Sequence, residues 1–593
     1  VISPADVPGR NPFPSHITEF RPVQIDALER VLDAWEDGAK VVFLDAPTGI
    51  GKTVIAELAR REMGAGRAAY ICGTKSLQDQ FVGDFTYAHV LKGRANFETL
   101  DYPEQFPMVS CADCVREQRV CPLCSDVDAC PYAAAKKTAM RMVDDEDDPG
   151  EEWGPAFALS NGPRYVKDLL VLNTAYFLSE CAYVGVLTGR DKKTGAIKNP
   201  FDLVVMDECD AAESALLGFV SVSISAGMRK RMGIRLPEKK TVESSWREWV
   251  VNEALPKAEE YCAHLASPTT QTVKSYKAAH NALADLKRLD EGLGEEGTWV
   301  YAGETERTSK EMDAKKLPVV FKPIRVDAKA NELLWRHGKR WLCMSATVIS
   351  PDELAESLGL ERSEWAAVGV GSGFDKKRRP VVVRPVADMS KRNRATAWPK
   401  VALEIKKIIA LYPQQNILVH TVSYEFTRYL KREIEKLCRV LGRPLYAYER
   451  AEDREAVLAQ FKVAGQNRKG AVMLASSFDR GIDLPGDECR VVIVAKVPYP
   501  YLGDRQVAAR LYSRGGRLWY DTLTVRSIVQ MTGRGMRSAD DWCVSVILDA
   551  GFLKLWQEKR RLLPRWWASA LTWNGRLPKI AKMEALDEYA HTR

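Results

Sequence analysis

Several features are missing from this sequence of 593 residues. No apolar run approaches the roughly 20 residues that a bilayer-crossing helix needs. Even the strand-like stretch from Val491 to Val497 is short, so no membrane span is expected. The amino terminus, VISPADVPGR, lacks the positive-then-apolar order of a secretory signal. The expectation is therefore a cytoplasmic protein, of a bacterium or a phage-infected cell. A strong charge of one sign is also lacking. Against 86 Lys and Arg stand 79 Asp and Glu, a net +7. That balance permits nucleic-acid binding without arguing for it. No internal repeat of fixed period appears, which speaks against a solenoid or propeller.

What is present begins with size and cysteine. The length suits three to five domain-sized units, and 46% hydrophobic with 28% charged residues is ordinary for a globular chain. Of 13 cysteines, five crowd between Cys111 and Cys130: Cys111, Cys114, Cys121, Cys124 and Cys130. A disulfide framework belongs to small secreted chains, so this cluster suggests metal. Four thiolates suffice for a [4Fe–4S] cluster or for zinc, and spacing alone does not separate the two. The acidic run from Asp144 to Asp148 reads as a solvated loop.

Short apolar runs recur at Val41–Leu44, Ala69–Cys72, Leu203–Met206, Leu342–Ser345, Ile417–His420, Val472–Ala475, Val491–Val497 and Val544–Leu548. Helical patterns lie between many of them. Strands alternating with helices imply parallel α/β sheets with ligand loops at the strands' carboxyl ends. The runs fall into two sets, divided near residue 375, and predict two α/β domains. Residues 95–165, with the cysteines, and residues 212–335, rich in Ala, Lys, Glu and Leu and read as mostly helical, look like insertions into the first.

The run from Ala46 to Thr53, APTGIGKT, is a P-loop with Ala in the first glycine position. Gly49 and Gly51 permit the turn that points backbone N–H groups into one concavity, and a helix from about Thr53 to Met63 aims its positive end there. Lys52 is placed to reach β- and γ-phosphates and Thr53 to hold Mg²⁺. The run Leu203 to Glu208 delivers two carboxylates at a strand end: Asp207 to complete the Mg²⁺ shell, Glu208 to orient and polarise the attacking water. In Gln530 to Arg537, QMTGRGMR, Arg534 and Arg537 lie three apart and can share a helical face toward one phosphate.

Taken in order, Gln24, the P-loop, Thr74 to Leu77, Asp207 to Asp210, Ser345-Ala346-Thr347, Ser477 to Asp483 and Gln530 to Arg537 resemble the motifs of superfamily 2 helicases. Within these, Lys92 to Phe97, the cluster ending Cys130-Pro131-Tyr132, Asp483 to Asp487 and Asp541 with Leu548-Asp549 resemble the iron–sulfur helicases, the XPD/DinG family. The resemblance covers roughly residues 20–555. It implies two RecA-like motor domains with ATP between them, the first carrying an iron–sulfur domain and a helical arch. The implied division is 1–94 first motor, 95–165 iron–sulfur domain, 166–211 first motor, 212–335 arch, 336–375 first motor, 376–593 second motor.

The resemblance further implies ATP contacts from Gln24, Gly481 and Asp483, and a role for Gln530 in catalysis. It implies a [4Fe–4S] cluster on Cys121, Cys124 and Cys130, with Cys114 or, alternatively, Cys111 as the first ligand. Single-stranded or forked DNA is the implied partner, with movement 5′ to 3′ by a monomeric motor. Thr74, Lys75, Lys92, Arg94, Lys136 and Lys137 are candidate cationic or polar contacts, and Phe97, Tyr132, Tyr176 and Trp519 candidate stacking platforms. A translocase or clamp that remodels protein–DNA complexes, or an RNA helicase, fits the same motifs. Three departures stand out. Asp210 occupies the place of the usual His, Asp479-Arg480 the place of the usual Trp-Glu before Gly481, and Thr99 stands near the place of an expected Cys.

Overall fold

The computed structural model describes residues 13–97, 108, 110–113, 132, 169–181, 187–191, 193–238, 243–266, 272–293, 298–302, 317–448, 453–476, 484–536, 541–573 and 575–588. Five strands open the chain: β1 (Val41–Asp45), β2 (Ala68–Cys72), β3 (His89–Val90), β4 (Leu169–Asn173) and β5 (Phe201–Asp207). Then come β6 (Val222–Ile224), β7 (Trp299–Tyr301) and β8 (Val319–Pro323), followed by β9 (Gly338–Ser345) and β10 (Trp365–Gly369). The remaining strands are β11 (Val381–Ala387), β12 (Ile417–His420), β13 (Leu445–Ala447), β14 (Val472–Ala475), β15 (Val491–Val494), β16 (Val544–Asp549) and β17 (Leu571–Thr572).

They form two seven-stranded parallel sheets, β10-β1-β9-β5-β2-β4-β3 and β13-β14-β12-β15-β16-β11-β17. Apolar runs suit these strands because both faces are covered. In β1, Val41 and Phe43 enter one core while Val42 and Leu44 enter the other, all at 0% exposure. In β12, Ile417 and Val419 face one core and Leu418 the opposite one. The two α/β domains expected from the sequence are thus present, as two RecA-like sheets.

The segment read as a helical arch differs from expectation. It holds the long helix Val273–Gly292, but also an antiparallel sheet in the order β6-β8-β7. Its strands are only three to five residues long, and their alternation (buried Val222 and Ile224 around exposed Ser223) is hidden among helix-forming sequence. Aromatic packing closes it: Trp246 stacks on Tyr301 with centroids 4.0 Å apart, and Phe321 meets Trp246 edge-on. This sheet also docks on the second domain, where Lys322 pairs with Asp504 at 3.1 Å and Gln506 donates to the Ile324 carbonyl. Near the carboxyl end, Trp567 is buried and donates to Thr532 Oγ1, so it packs against the second domain.

Candidate nucleotide site at the interdomain cleft

β1 ends at Asp45 and the chain turns through Ala46–Gly51 into the helix Lys52–Glu62. Gly49 (φ 82°) and Gly51 (φ 87°) take the left-handed backbone that the turn requires. Gln24 braces the loop from behind. Its Nε2 donates to the Ile50 carbonyl at 2.8 Å, its Oε1 accepts the Arg21 amide at 2.9 Å, and a Cβ on Gly51 would fall 2.4 Å from Nε2. Any other residue at position 51 would displace the brace. Arg21, which the motif reading passed over, donates to the Gly49 carbonyl at 2.6 Å.

β5 and β2 are neighbours, and this brings Asp207 beside Tyr70. The buried Tyr70 hydroxyl donates to Asp207 Oδ2 at 3.2 Å and also has Thr53 as a hydrogen-bond neighbour. The two residues expected to share Mg²⁺ therefore meet through one phenol. Burial and the Asp207 charge hold that phenol well above its ordinary pKa, so it stays a donor. Glu208 takes φ 52°, a left-handed conformation that costs a non-glycine residue on the order of 1 kcal/mol. Its amide donates to Asp207 Oδ1, and its exposed side chain passes Gly73, where a Cβ would lie 3.1 Å from Oε2. Burial pushes the neighbouring Asp45 carboxyl up to about 6, against the pull of the Val348 amide and of Lys52.

Asp210 is the hub of the site. Its buried carboxylate accepts from Ser345 Oγ (2.7 Å), Thr347 Oγ1 (3.2 Å) and Gln530 Nε2 (3.0 Å). Arg526 completes it, with Nε 3.6 Å from Oδ2 and donors to the Asp210 and Thr347 carbonyls. Gln530 and Arg526 come from the helix Gly516–Thr532 of the second domain, whereas Asp210, Ser345 and Thr347 belong to the first. The Asp that replaces His thus keeps a link between the domains, through an ion pair as well as hydrogen bonds. Arg526 escaped sequence reading; its one signal is a position one helical turn before Gln530, on the same face. Arg534, one turn beyond Gln530, is buried. Arg537, Gly481 and Asp483 lie outside the described residues.

The architecture and motifs converge on known proteins. Residues 405–570 match a family of helicase C-terminal domains, and residues 17–104 match the res subunit of type III restriction enzymes. The solved structure of S. tokodaii Xpd4 superposes with a TM-score of 0.53 at 15% identity, covering 93% of this chain and all of that one. An XPD helicase structure gives 0.54 at 16% identity, covering 92% and 98%. The ATP-dependent DNA helicase YoaA of Escherichia coli is 24% identical over 248 residues, 40% of this chain and 37% of YoaA. The chain shares its fold with XPD helicases and matches helicase C-terminal domains in its second half. The aligned part spans about a third of the length of the first curated relatives.

Of the six residues expected to contact nucleic acid, four are described. Thr74 caps the helix Lys75–Asp84, Lys75 donates to Asn96 at 2.6 Å, Lys92 pairs with Asp79 at 2.8 Å, and Arg94 lies 5.3 Å over the Tyr132 ring. Lys136 and Lys137 lie outside the described residues. Three proposed stacking platforms are corrected: Tyr132, Tyr176 and Trp519 are buried, the tyrosines hydrogen-bonded to one another and Trp519 to Glu213. Phe97 is partly buried against Tyr132. Among the described residues the exposed tyrosines are Tyr499, Tyr501 and Tyr512, on the second domain.

Of the cysteine cluster only Cys111 is described. It is buried with Leu91 and Tyr132, and its amide donates to the Phe97 carbonyl. Cys114, Cys121, Cys124 and Cys130 lie outside the described residues. Among the described residues no group of three or more potential ligands could hold a metal ion. No described helix is long and apolar enough to cross a membrane.

Proposed function

We propose that the chain is an ATP-dependent DNA helicase that moves along single-stranded DNA, 5′ to 3′, and separates duplex. One observation carries this reading. The carboxylate three residues after Asp207 is bonded at once to Ser345 and Thr347 of its own domain and to Gln530 and Arg526 of the other. Events at the phosphates are therefore three residues from the contact that holds the domains together, which is what a stepping motor requires. In the proposed reaction Lys52 meets the β- and γ-phosphates, and Thr53 and Asp207 hold Mg²⁺, which neutralises charge on the phosphate oxygens when bound. Glu208 accepts a proton from the attacking water, and Arg534 and Arg537 face the charge spreading over the γ-phosphoryl group.

We also propose that Cys121, Cys124 and Cys130, with Cys114, hold a [4Fe–4S] cluster. The spacing and the family support it, and the enclosed setting of Cys111 favours Cys114 as the fourth ligand. Iron analysis and visible absorbance of anaerobically purified protein test it; stoichiometric zinc without iron would replace the cofactor.

The activity is tested with ATP turnover on single-stranded DNA, single-stranded RNA and duplex, together with unwinding of a forked duplex. Stimulation by single-stranded DNA with fork unwinding is expected. Stimulation and protein displacement without unwinding would make the chain a remodelling translocase, and stimulation by RNA alone an RNA helicase.

A further inference from the structure

The helix Arg505–Tyr512 of the second domain is eight residues long and touches two other parts of the molecule. Its first turn meets the small antiparallel sheet. Asp504, the cap, accepts the Gln506 amide through Oδ1 and pairs with Lys322 of β8 through Oδ2 at 3.1 Å. Gln506 donates to the Ile324 carbonyl at 3.1 Å, and the Arg505 guanidinium lies 5.5 Å from the Tyr301 ring of β7. Its last turn meets the first domain. Arg510 is 2% exposed, donates to Ser357 Oγ at 2.8 Å and stands 3.5 Å from Glu213 Oε1. Trp519, from the next helix, donates to the other Glu213 oxygen at 2.7 Å.

Glu213 belongs to the stretch that follows the catalytic carboxylates. It sits in the first turn of the helix Ala212–Val220, directly after Asp207, Glu208 and Asp210, and that helix runs through Ser221 into β6 of the same small sheet. The covalent path from Glu213 to the sheet and the non-covalent path along Arg505–Tyr512 therefore join the same two places. They close a brace whose third side is the sheet itself. Both of its ion pairs are partly or fully buried, so they hold one geometry in a way that solvated surface pairs do not. A shift of the sheet has to carry the helix along or break the Lys322 pair. A shift of the helix has to move Glu213 or leave Arg510 buried in a socket that no longer matches it.

We propose that the helix Arg505–Tyr512 is a strut through which the inserted sheet and the catalytic segment Asp207–Asp210 act on one another, with Lys322, Asp504, Arg510 and Glu213 as positioning residues. This rests on the reading of the chain as a strand-driven ATPase, and it adds the route by which displacement of the insertion reaches Glu208.

The test uses the full chain and the variants Lys322→Met, Lys322→Arg, Glu213→Gln and the Lys322→Met/Glu213→Gln pair. Glu213→Gln keeps an acceptor for Trp519 and removes the charge facing Arg510. ATP turnover is measured without nucleic acid and with saturating single-stranded DNA, beside strand affinity. Lys322→Met and Glu213→Gln should each lower the stimulated rate by roughly 2- to 30-fold, the span of coupling through packed side chains. The unstimulated rate and the strand affinity should hold, and Lys322→Arg should restore stimulation. The pair should lose no more than the worse single variant, because both cuts open one strut. Losses that multiply in the pair, unchanged stimulation in both single variants, or weakened strand binding in Lys322→Met would overturn the strut. Hydrogen exchange gives a second readout that needs no turnover. A non-hydrolysable ATP analogue should alter amide exchange in β7 of the unaltered chain but not of Glu213→Gln; the same response in both, or none in either, would overturn the strut. Should single-stranded DNA fail to stimulate the unaltered chain, the motor reading falls and the exchange measurement still decides the strut.

Discussion

The two parallel sheets have the same number of strands and the same doubly covered apolar interior, yet they end differently at the cleft. β1 of the first sheet opens into a glycine turn that leaves backbone and Lys52 exposed to a ligand. The corresponding end of β12 in the second sheet is sealed. His420 is fully buried, and among the described residues neither ring nitrogen has a hydrogen-bond partner. The first domain supplies a cradle and the second supplies side chains that reach across, Gln530 and Arg526. The scaffold is shared, and the chemistry lies in the loops and helices attached to the strand ends.

The comparison breaks most visibly at the cradle. Lys52→Ala removes the charge aimed at the phosphates and should abolish ATP turnover without unfolding the chain, measured by steady-state hydrolysis alongside circular dichroism.

The bridge comes next. Asp210→Ala leaves Arg526 buried beside an empty site, and breaking a buried pair from one side costs about 3–5 kcal/mol. Denaturant unfolding should show that loss, and Asp210→Asn, which keeps hydrogen bonds but not charge, should lose less. Equal stability of Asp210→Ala and wild type would mean that the domains are held elsewhere.

The sealed end makes a pH prediction. Burial, with the Arg534 charge beside it, lowers His420 from 6.5 to about 3. Between those values the unfolded chain binds a proton that the native state does not. Its contribution is therefore complete above pH 6.5 and is lost as pH falls toward 3, by up to about 1.4 kcal/mol per unit. His420→Leu should flatten the acid limb of a stability–pH curve; an unchanged slope would place the titration in other groups.

The smallest effect is expected on the outer surface. Arg394 and Glu425 pair at 2.9 Å with both side chains more than half exposed. Glu425→Ala should change unfolding stability by less than about 1 kcal/mol and turnover not at all.

Much of the fold was legible in the sequence. Every predicted apolar run holds a strand, because burial on both faces demands continuous apolar sequence, although the run Val491–Val497 is strand only as far as Val494. β3 and β17, two residues each, carry too little pattern to be seen. β6, β7 and β8 were hidden because strands of three to five residues leave little period to read. The phosphate-handling residues came from motif spacing, and the structure brings Lys52, Thr53, Asp207 and Gln530 to one cleft. Tyr70 was missed because it looks like one more apolar member of a strand. The stacking candidates failed for a related reason: composition supplies aromatics but does not say which of them the core consumes.

Hydrolysis of ATP in the cleft between the sheets depends, in this mechanism, on Glu208 as the group that activates water. Glu208→Gln, assayed for ATP binding by calorimetry and for turnover on single-stranded DNA, puts that dependence to the test. Retained binding with turnover reduced to background is the expected result. Turnover near that of the unaltered chain would contradict the role given to Glu208.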